Sequence, residues 1–130
     1  MRISRSTGYG ILAVGYIAKH QNQPIILSQS IAKEYGIPLE YLLKILQQMV
    51  RANILRSKRG PRGGFSLARS IKKINMLQII EAVEGPMISQ LDLKELAPKE
   101  KFGTKAEQIY ERALAQARAV FEKAKISDIL

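Results

Sequence analysis

Apolar residues at positions 9, 12, 13, 16 and 17 fall on one helical face, which predicts a first helix over residues 7–20 with that stripe inward. A polar break at residues 21–24 precedes a short β-like run at 25–27. Ser28 is a favourable N-cap for a short second helix whose Ile31, Ala32 and Tyr35 share a face. Gly36 supplies the left-handed residue that ends it, and Pro38 opens a third helix running to about Ala52. Leu42, Ile45, Leu46 and Met49 form the core stripe of that third helix.

Two short helices joined by a tight glycine turn have the layout of a helix-turn-helix. Asn53, a residue that tolerates left-handed backbone, stands where the chain leaves the third helix. Residues 54–59 then read as a strand, residues 60–64 (Gly-Pro-Arg-Gly-Gly) as a turn, and residues 65–68 as a returning strand. A β-hairpin directly after a helix-turn-helix is the order of a winged helix. Asn75 and Gln78 form a capping box for a fourth helix with Met76, Ile79, Ile80 and Val83 on its apolar face, stopped by Gly85 and Pro86. Residues 87–103 read as a connecting loop holding at most one helical turn. Thr104 and Glu107 suggest a second capping box, for a last helix reaching about Ala124. The expected fold is therefore mainly α. A winged helix-turn-helix domain with a β-hairpin wing occupies residues 1–86, and a long C-terminal dimerisation helix with its tail occupies 104–130.

Charge changes the picture. Of 130 residues, 21 are Lys or Arg and 11 are Asp or Glu, giving a net +10. The excess is uneven: residues 1–70 hold 11 basic and 2 acidic side chains, whereas residues 71–130 hold 10 and 9. A polyanion-binding module followed by an ordinary segment fits this asymmetry, with nucleic acid the first candidate and an anionic membrane surface the second. No stretch approaches the ~18 apolar residues that span a bilayer. The N-terminus imitates a signal peptide but lacks a small-x-small site, so the expected location is cytoplasmic, at the nucleoid. The sequence contains no cysteine and one histidine, His20. That composition removes disulfides, thiolate-held metals and most His-centred catalysis, and no enzyme constellation is visible. His20 fits a helix C-terminus. Glu81 and Glu84, spaced i, i+3, resemble an acid pair but are expected to project into solvent. Tyr9, Tyr16, Tyr35 and Tyr41 read as core or edge residues.

Opposite the core stripe of the third helix lie Glu40, Lys44, Gln47 and Arg51, flanked by Leu39 and Leu43. A recognition helix needs such a face, because long polar side chains reach base edges in the major groove and aliphatic ones meet thymine methyls. A solvated helix face would carry the same pattern. The hairpin discriminates better: Lys58, Arg59 and Arg62 surround Gly60 and Gly63, and glycines permit close backbone approach to phosphates while arginine fits a narrow minor groove. No Walker Lys-Ser/Thr follows, so a nucleotide loop is disfavoured. Along the last helix, Ala106, Ile109, Ala113, Ala117, Val120 and Ala124 lie on one side, with Tyr110, Leu114 and Phe121 adjacent. That arc exceeds what packing on one small domain needs, and it suggests pairing with a twin through Ile109, Ala113, Ala117, Val120, Phe121 and Ala124.

The run from Arg56 to Ala68, RSKRGPRGGFSLA, resembles the wing of the Rrf2 family of bacterial transcription regulators. Met1-Arg2-Ile3-Ser4, Ile31-Ala32, Tyr41-Leu42 and the segment 81–86, EAVEGP, agree with its pattern in order. The resemblance implies a homodimeric repressor or activator that binds double-stranded DNA. In it Glu40, Leu43 and Lys44 would meet the major groove and Arg59 the minor groove, with Arg2, Arg5, Tyr9, Ser28 and Tyr41 near phosphates. Well-known members hold an iron–sulfur cluster through three cysteines in the loop before the last helix. Residues 87–103 have none, so this chain resembles cluster-free members. Its signal, whether a partner protein or a small-molecule effector, is not named by the residues. The competing reading is a winged-helix interaction module whose basic face docks an acidic partner.

Overall fold

The computed structural model describes residues 2–58 and 64–130. Helix α1 (Arg5–Lys19) is followed by strand β1 (Ile26–Leu27), α2 (Ser28–Tyr35) and α3 (Leu39–Arg51). The hairpin strands β2 (Leu55–Lys58) and β3 (Gly64–Leu67) come next, then α4 (Met76–Glu84), the single-turn α5 (Leu93–Leu96), the long α6 (Lys101–Lys123) and the short α7 (Ile126–Ile129). The three strands form an antiparallel sheet in the order β1-β3-β2, with Ile26 opposite Phe65 and Lys58 opposite Gly64.

The α2–α3 turn follows from local chemistry. Gly36 adopts left-handed backbone (φ 65°), and the Ile37 amide donates back to the Ala32 carbonyl at 3.0 Å, closing α2 while α3 begins two residues later. Asn53 repeats the device at the end of α3 with φ 58°, and the Ile54 amide donates to the Met49 carbonyl at 2.9 Å. Arg69 Nε donates to the Asn53 carbonyl at 3.0 Å and fixes this corner from the far side of the hairpin. The capping box of α4 is present, with Asn75 Oδ1 accepting from the Gln78 amide at 2.8 Å and Gln78 Oε1 from the Asn75 amide at 2.9 Å.

The core gathers Val14 and Ile17 of α1, Ile31 of α2, the expected Leu42, Ile45, Leu46 and Met49 of α3, Phe65 of β3 and Ile79 of α4. The inward face of α1 differs from the sequence reading. Thr7, Gly10, Ala13, Val14, Ile17 and Ala18 are buried, whereas Leu12 is 41% exposed and Tyr9 and Tyr16 are half-buried. Closeness of approach decides this. A Cβ on Gly10 would lie 2.5 Å from Met49 Cε and 3.5 Å from Ile79 Cγ2, so the small-residue face brings α1 against α3 and α4. Leu77, outside the expected α4 stripe, is buried as well.

The C-terminal region also departs from expectation. Helix α6 starts at Lys101 with Glu100 as N-cap, so Thr104 lies within the helix. Glu107, instead of capping α6, is buried and accepts the Leu93 amide at 3.0 Å, which ties α5 to α6. Beyond α6 the chain does not trail off as a tail. The Met76 amide donates to the Ala124 carbonyl (2.9 Å) and the Ile126 amide to the Ile74 carbonyl (2.9 Å), placing Ile126 fully in the core. Among the described residues no helix is long and apolar enough to cross a membrane.

Candidate nucleic-acid interface

Helix α3 presents Glu40, Lys44, Gln47 and Arg51 on its outward side, where with Leu43 and Gln48 they line an open depression of about 530 Å³. Glu40, Lys44 and Arg51 are exposed, and Gln47 and Gln48 half-buried. Gln48 is absent from the sequence reading because the helical wheel places it between the two faces. Leu43 requires a correction: it is only 8% exposed and belongs to the core, so most of it is spent on packing and only an edge reaches the depression. Leu39 is half-buried against the same core.

The N-terminal turn of α1 lies beside α3. The hydroxyls of Ser6 and Tyr41 are hydrogen-bonded, and the Tyr9 ring stands edge-on to that of Tyr41 with centroids 5.7 Å apart. Tyr41 is 44% exposed, and Arg2 and Arg5 are exposed on this side chain cluster's own segment. Ser28 is the second correction. It is the first residue of α2 and not its cap, it is 1% exposed, and its Oγ is buried without a hydrogen-bond partner. Its side chain is therefore not presented to a phosphate.

In the hairpin, Arg56 and Lys58 project from β2 as exposed residues. Arg59, Gly60, Arg62 and Gly63 lie outside the described residues. The loop end of the β2–β3 ladder depends on Gly64: a Cβ there would sit 1.4 Å from Ile25 Cγ2, so only glycine lets β3 pair this close to the chain entering β1.

The two carboxylates expected in solvent are both engaged. Glu81 Oε2 accepts from the Met87 amide at 2.8 Å and pairs with the Arg118 guanidinium, joining α4 to α6. Glu84 Oε1 accepts from the Ser4 amide (2.9 Å), the Ser4 hydroxyl and the Thr7 hydroxyl (2.7 Å). These bonds, the Ser4 hydroxyl first, hold the Glu84 carboxyl below the usual carboxylate range, with burial opposing. Neither pairing is visible in sequence, since the partners are tens of residues apart. His20 caps α1, its Nδ1 lying 2.7 Å from the Tyr16 carbonyl and its ring stacked on that of Tyr16.

On α6 the residues expected at a twin interface divide. Ile109 (59% exposed), Val120 (67%) and Ala113 are open, whereas Ala117, Phe121 and Ala124 are half-buried towards their own chain. Ala106, already on the expected apolar side, is open as well, and Phe102 (70%) extends the stripe at the N-terminal end, where the later helix start in the sequence reading hid it.

The Rrf2 family model, described as an iron-dependent transcriptional regulator, matches residues 3–130. BadM of Rhodopseudomonas palustris, named as an HTH-type transcriptional regulator, is 37% identical over 97 residues, covering 75% of this chain; the aligned part spans 60% of BadM's own length. A protein of Mycobacterium tuberculosis named for the same regulator class is 28% identical over 99% of this chain and 81% of its own. Among solved structures, Staphylococcus aureus CymR in its oxidized form superposes with TM-score 0.77 at 26% identity, over 99% of this chain and 95% of that one. CymR of B. subtilis gives 0.80 at 22% identity with the same coverage. With no cysteine in the 130 residues and the one histidine at the far end of α1, capping that helix, the side chains do not fit a thiolate-held cluster. Nor do the described residues contain a group of three or more His, Asp or Glu able to hold a metal ion.

Proposed function

This chain belongs to the Rrf2 family of DNA-binding transcription regulators, and from that premise we propose that it acts as a homodimeric repressor on a palindromic operator. The observation that carries the reading is the outward face of α3. Lys44, Gln47 and Arg51 stand in a row on a helix whose other side is locked into the core, beside a hairpin bearing Arg56 and Lys58. Lys44 donates to guanine O6 or N7, Gln47 pairs with adenine, and Arg51, Arg2 and Arg5 meet phosphates. Arg59 and Arg62 enter the minor groove.

The open stripe of Phe102, Ala106, Ile109, Ala113 and Val120 supports pairing of α6 with its twin, since its spacing of four, three, four and seven residues keeps to one face, as in helices packed side by side. A two-fold dimer sets the two α3 helices about one DNA turn (~34 Å) apart. The regulator works without an iron–sulfur cluster, consistent with the donor set, and a partner protein or small molecule supplies the signal through α4, the 87–103 segment and α6.

Selection of genomic fragments by the purified protein at about 150 mM salt, where purely electrostatic attachment fades, tests this reading. Enrichment of one motif with two symmetric half-sites is expected. Uniform recovery of all fragments would overturn it.

A further inference from the structure

Helix α1 begins without a cap from its own sequence. Ser4 stands at the N-cap position, yet its side chain does not bond to the turn that follows. The donors there are taken by Glu84, the last residue of α4 and 80 positions away, which collects the Ser4 amide, the Ser4 hydroxyl and the Thr7 hydroxyl on one oxygen. Thr7 is fully buried, so its hydroxyl depends on this carboxylate for a partner. A negative group at this end also meets the positive pole of the helix dipole.

The same turn carries Arg5, lies three residues beyond Arg2, and reaches α3 through Ser6 and Tyr41. Arg2 lines a depression of about 220 Å³ with Glu84, Gly85, Pro86 and Met87. Three residues before Glu84, Glu81 holds Arg118 and the Met87 amide. The arm that bears Arg2 and Arg5 is thus fastened to the helix that is itself fastened to α6.

We propose that Glu84 is a positioning residue for DNA binding: by gripping Ser4 and Thr7 it fixes the arm so that Arg2 and Arg5 meet phosphates while α3 is seated in the groove. The inference rests on the DNA-binding reading above. Glu84 touches no DNA and acts through the arm. Its negative charge near a DNA-facing surface would by itself weaken binding, so the two effects have opposite signs and can be separated.

The test is the salt dependence of affinity for the selected operator, measured for wild type, Glu84→Ala, Glu84→Gln, Thr7→Val and Arg2→Ala/Arg5→Ala, with folding checked by circular dichroism. Each lost phosphate contact lowers the slope of log K against log salt by about 0.9. Wild type binding one motif with a steep slope keeps the DNA-binding reading standing, whatever the variants do. With two arginines on each of two protomers, Glu84→Ala is then expected to lower affinity and to flatten the slope by about two to four. Glu84→Gln, which keeps an acceptor oxygen, stays near wild type, and Thr7→Val falls between. In the Arg2→Ala/Arg5→Ala background Glu84→Ala adds nothing further. An unchanged slope in folded Glu84→Ala, tighter binding by Glu84→Ala and Glu84→Gln alike, or an unchanged slope in Arg2→Ala/Arg5→Ala would each overturn the proposal. If wild type shows no selective binding, the functional reading falls, and this inference with it.

Discussion

Replacing Gly64 by alanine adds one methyl group, and the geometry allows its effect to be worked out. The new Cβ would stand 1.4 Å from Ile25 Cγ2, 2.9 Å from Ile25 Cβ and 3.6 Å from Cγ1. Rotating Ile25 about χ1 moves the first atom but not Cβ, which is tied to the backbone, and a β-branched side chain has few rotamers to offer. The strands must therefore move apart. Gly64 sits in the central strand, opposite Leu27 on one side and Lys58 on the other, so separation loosens β1 or the hairpin. Overpacking of this kind costs about 2 kcal/mol. With an unfolding entropy of about 0.27 kcal/mol/K for a chain this long, Tm falls by about 7 °C.

Gly15→Ala supplies the contrast, because its Cβ meets nothing within 4 Å on the interior of α1. It is expected to stabilise by about 0.5–1 kcal/mol. Thermal melts at equal protein concentration, a requirement if the protein dimerises, measure both. Ile25→Ala added to Gly64→Ala should return part of the loss although it removes apolar surface, since the clash is with that side chain. If Gly64→Ala melts with wild type, or if trimming Ile25 only adds to the damage, the close approach of β3 to residue 25 is not what demands glycine.

Three further outcomes are expected. Ile109→Glu puts a charge in the middle of the open α6 stripe, so light scattering should report a 14.6 kDa monomer with unchanged circular dichroism where wild type gives twice that mass. Ile126→Ala empties a fully buried site and should cost about 2–4 kcal/mol in chemical denaturation, an effect that a free C-terminal tail would not produce. The third concerns pH: Glu84 has a folded pKa below its unfolded value, so its contribution to stability is complete above the ordinary glutamate range and is lost as pH falls through the lower folded value. The stability gap between wild type and Glu84→Gln should accordingly be constant near neutrality and close on acidification; a gap that widens in acid would refute the assignment.

Which parts of this molecule were legible in its sequence follows from the range of the interactions involved. Gly36, Asn53 and the Asn75–Gln78 box act within a few residues of themselves, and the elements they bound stand where the pattern places them. The stripe of α3 was readable because one face is uniformly large and apolar and the other long and polar. Helix α1 misled for the opposite reason. Beside Ala13, Val14 and Ile17 its buried face includes Thr7 and Gly10, and at Gly10 the lack of a side chain lets α3 and α4 approach; smallness gives no signal in a count of hydrophobic residues. The start of α6 misled because Thr104 and Glu107 have the spacing of a capping box while Glu107 is claimed by the Leu93 amide, a partner that exists only after α5 has folded back.

The candidate site divides along the same line. Its outward groups, Lys44, Gln47 and Arg51, are a property of one helix and could be named from spacing alone. What holds the surrounding pieces at fixed positions is non-local: Glu84 on Ser4 and Thr7, Glu81 on Arg118, Arg69 on the Asn53 carbonyl, Ile126 beneath Ile74. All four join segments that a one-dimensional reading keeps apart. They also link α6 to α4 and α4 to the first turn of α1, leaving few soft joints between the helix that carries the open stripe and the arm beside α3. A displacement of α6 against α4 therefore has to strain the Glu81–Arg118 pair or be passed to Ser4. In the function proposed above, that connection is the path by which a change at α6 would reach the arm beside α3.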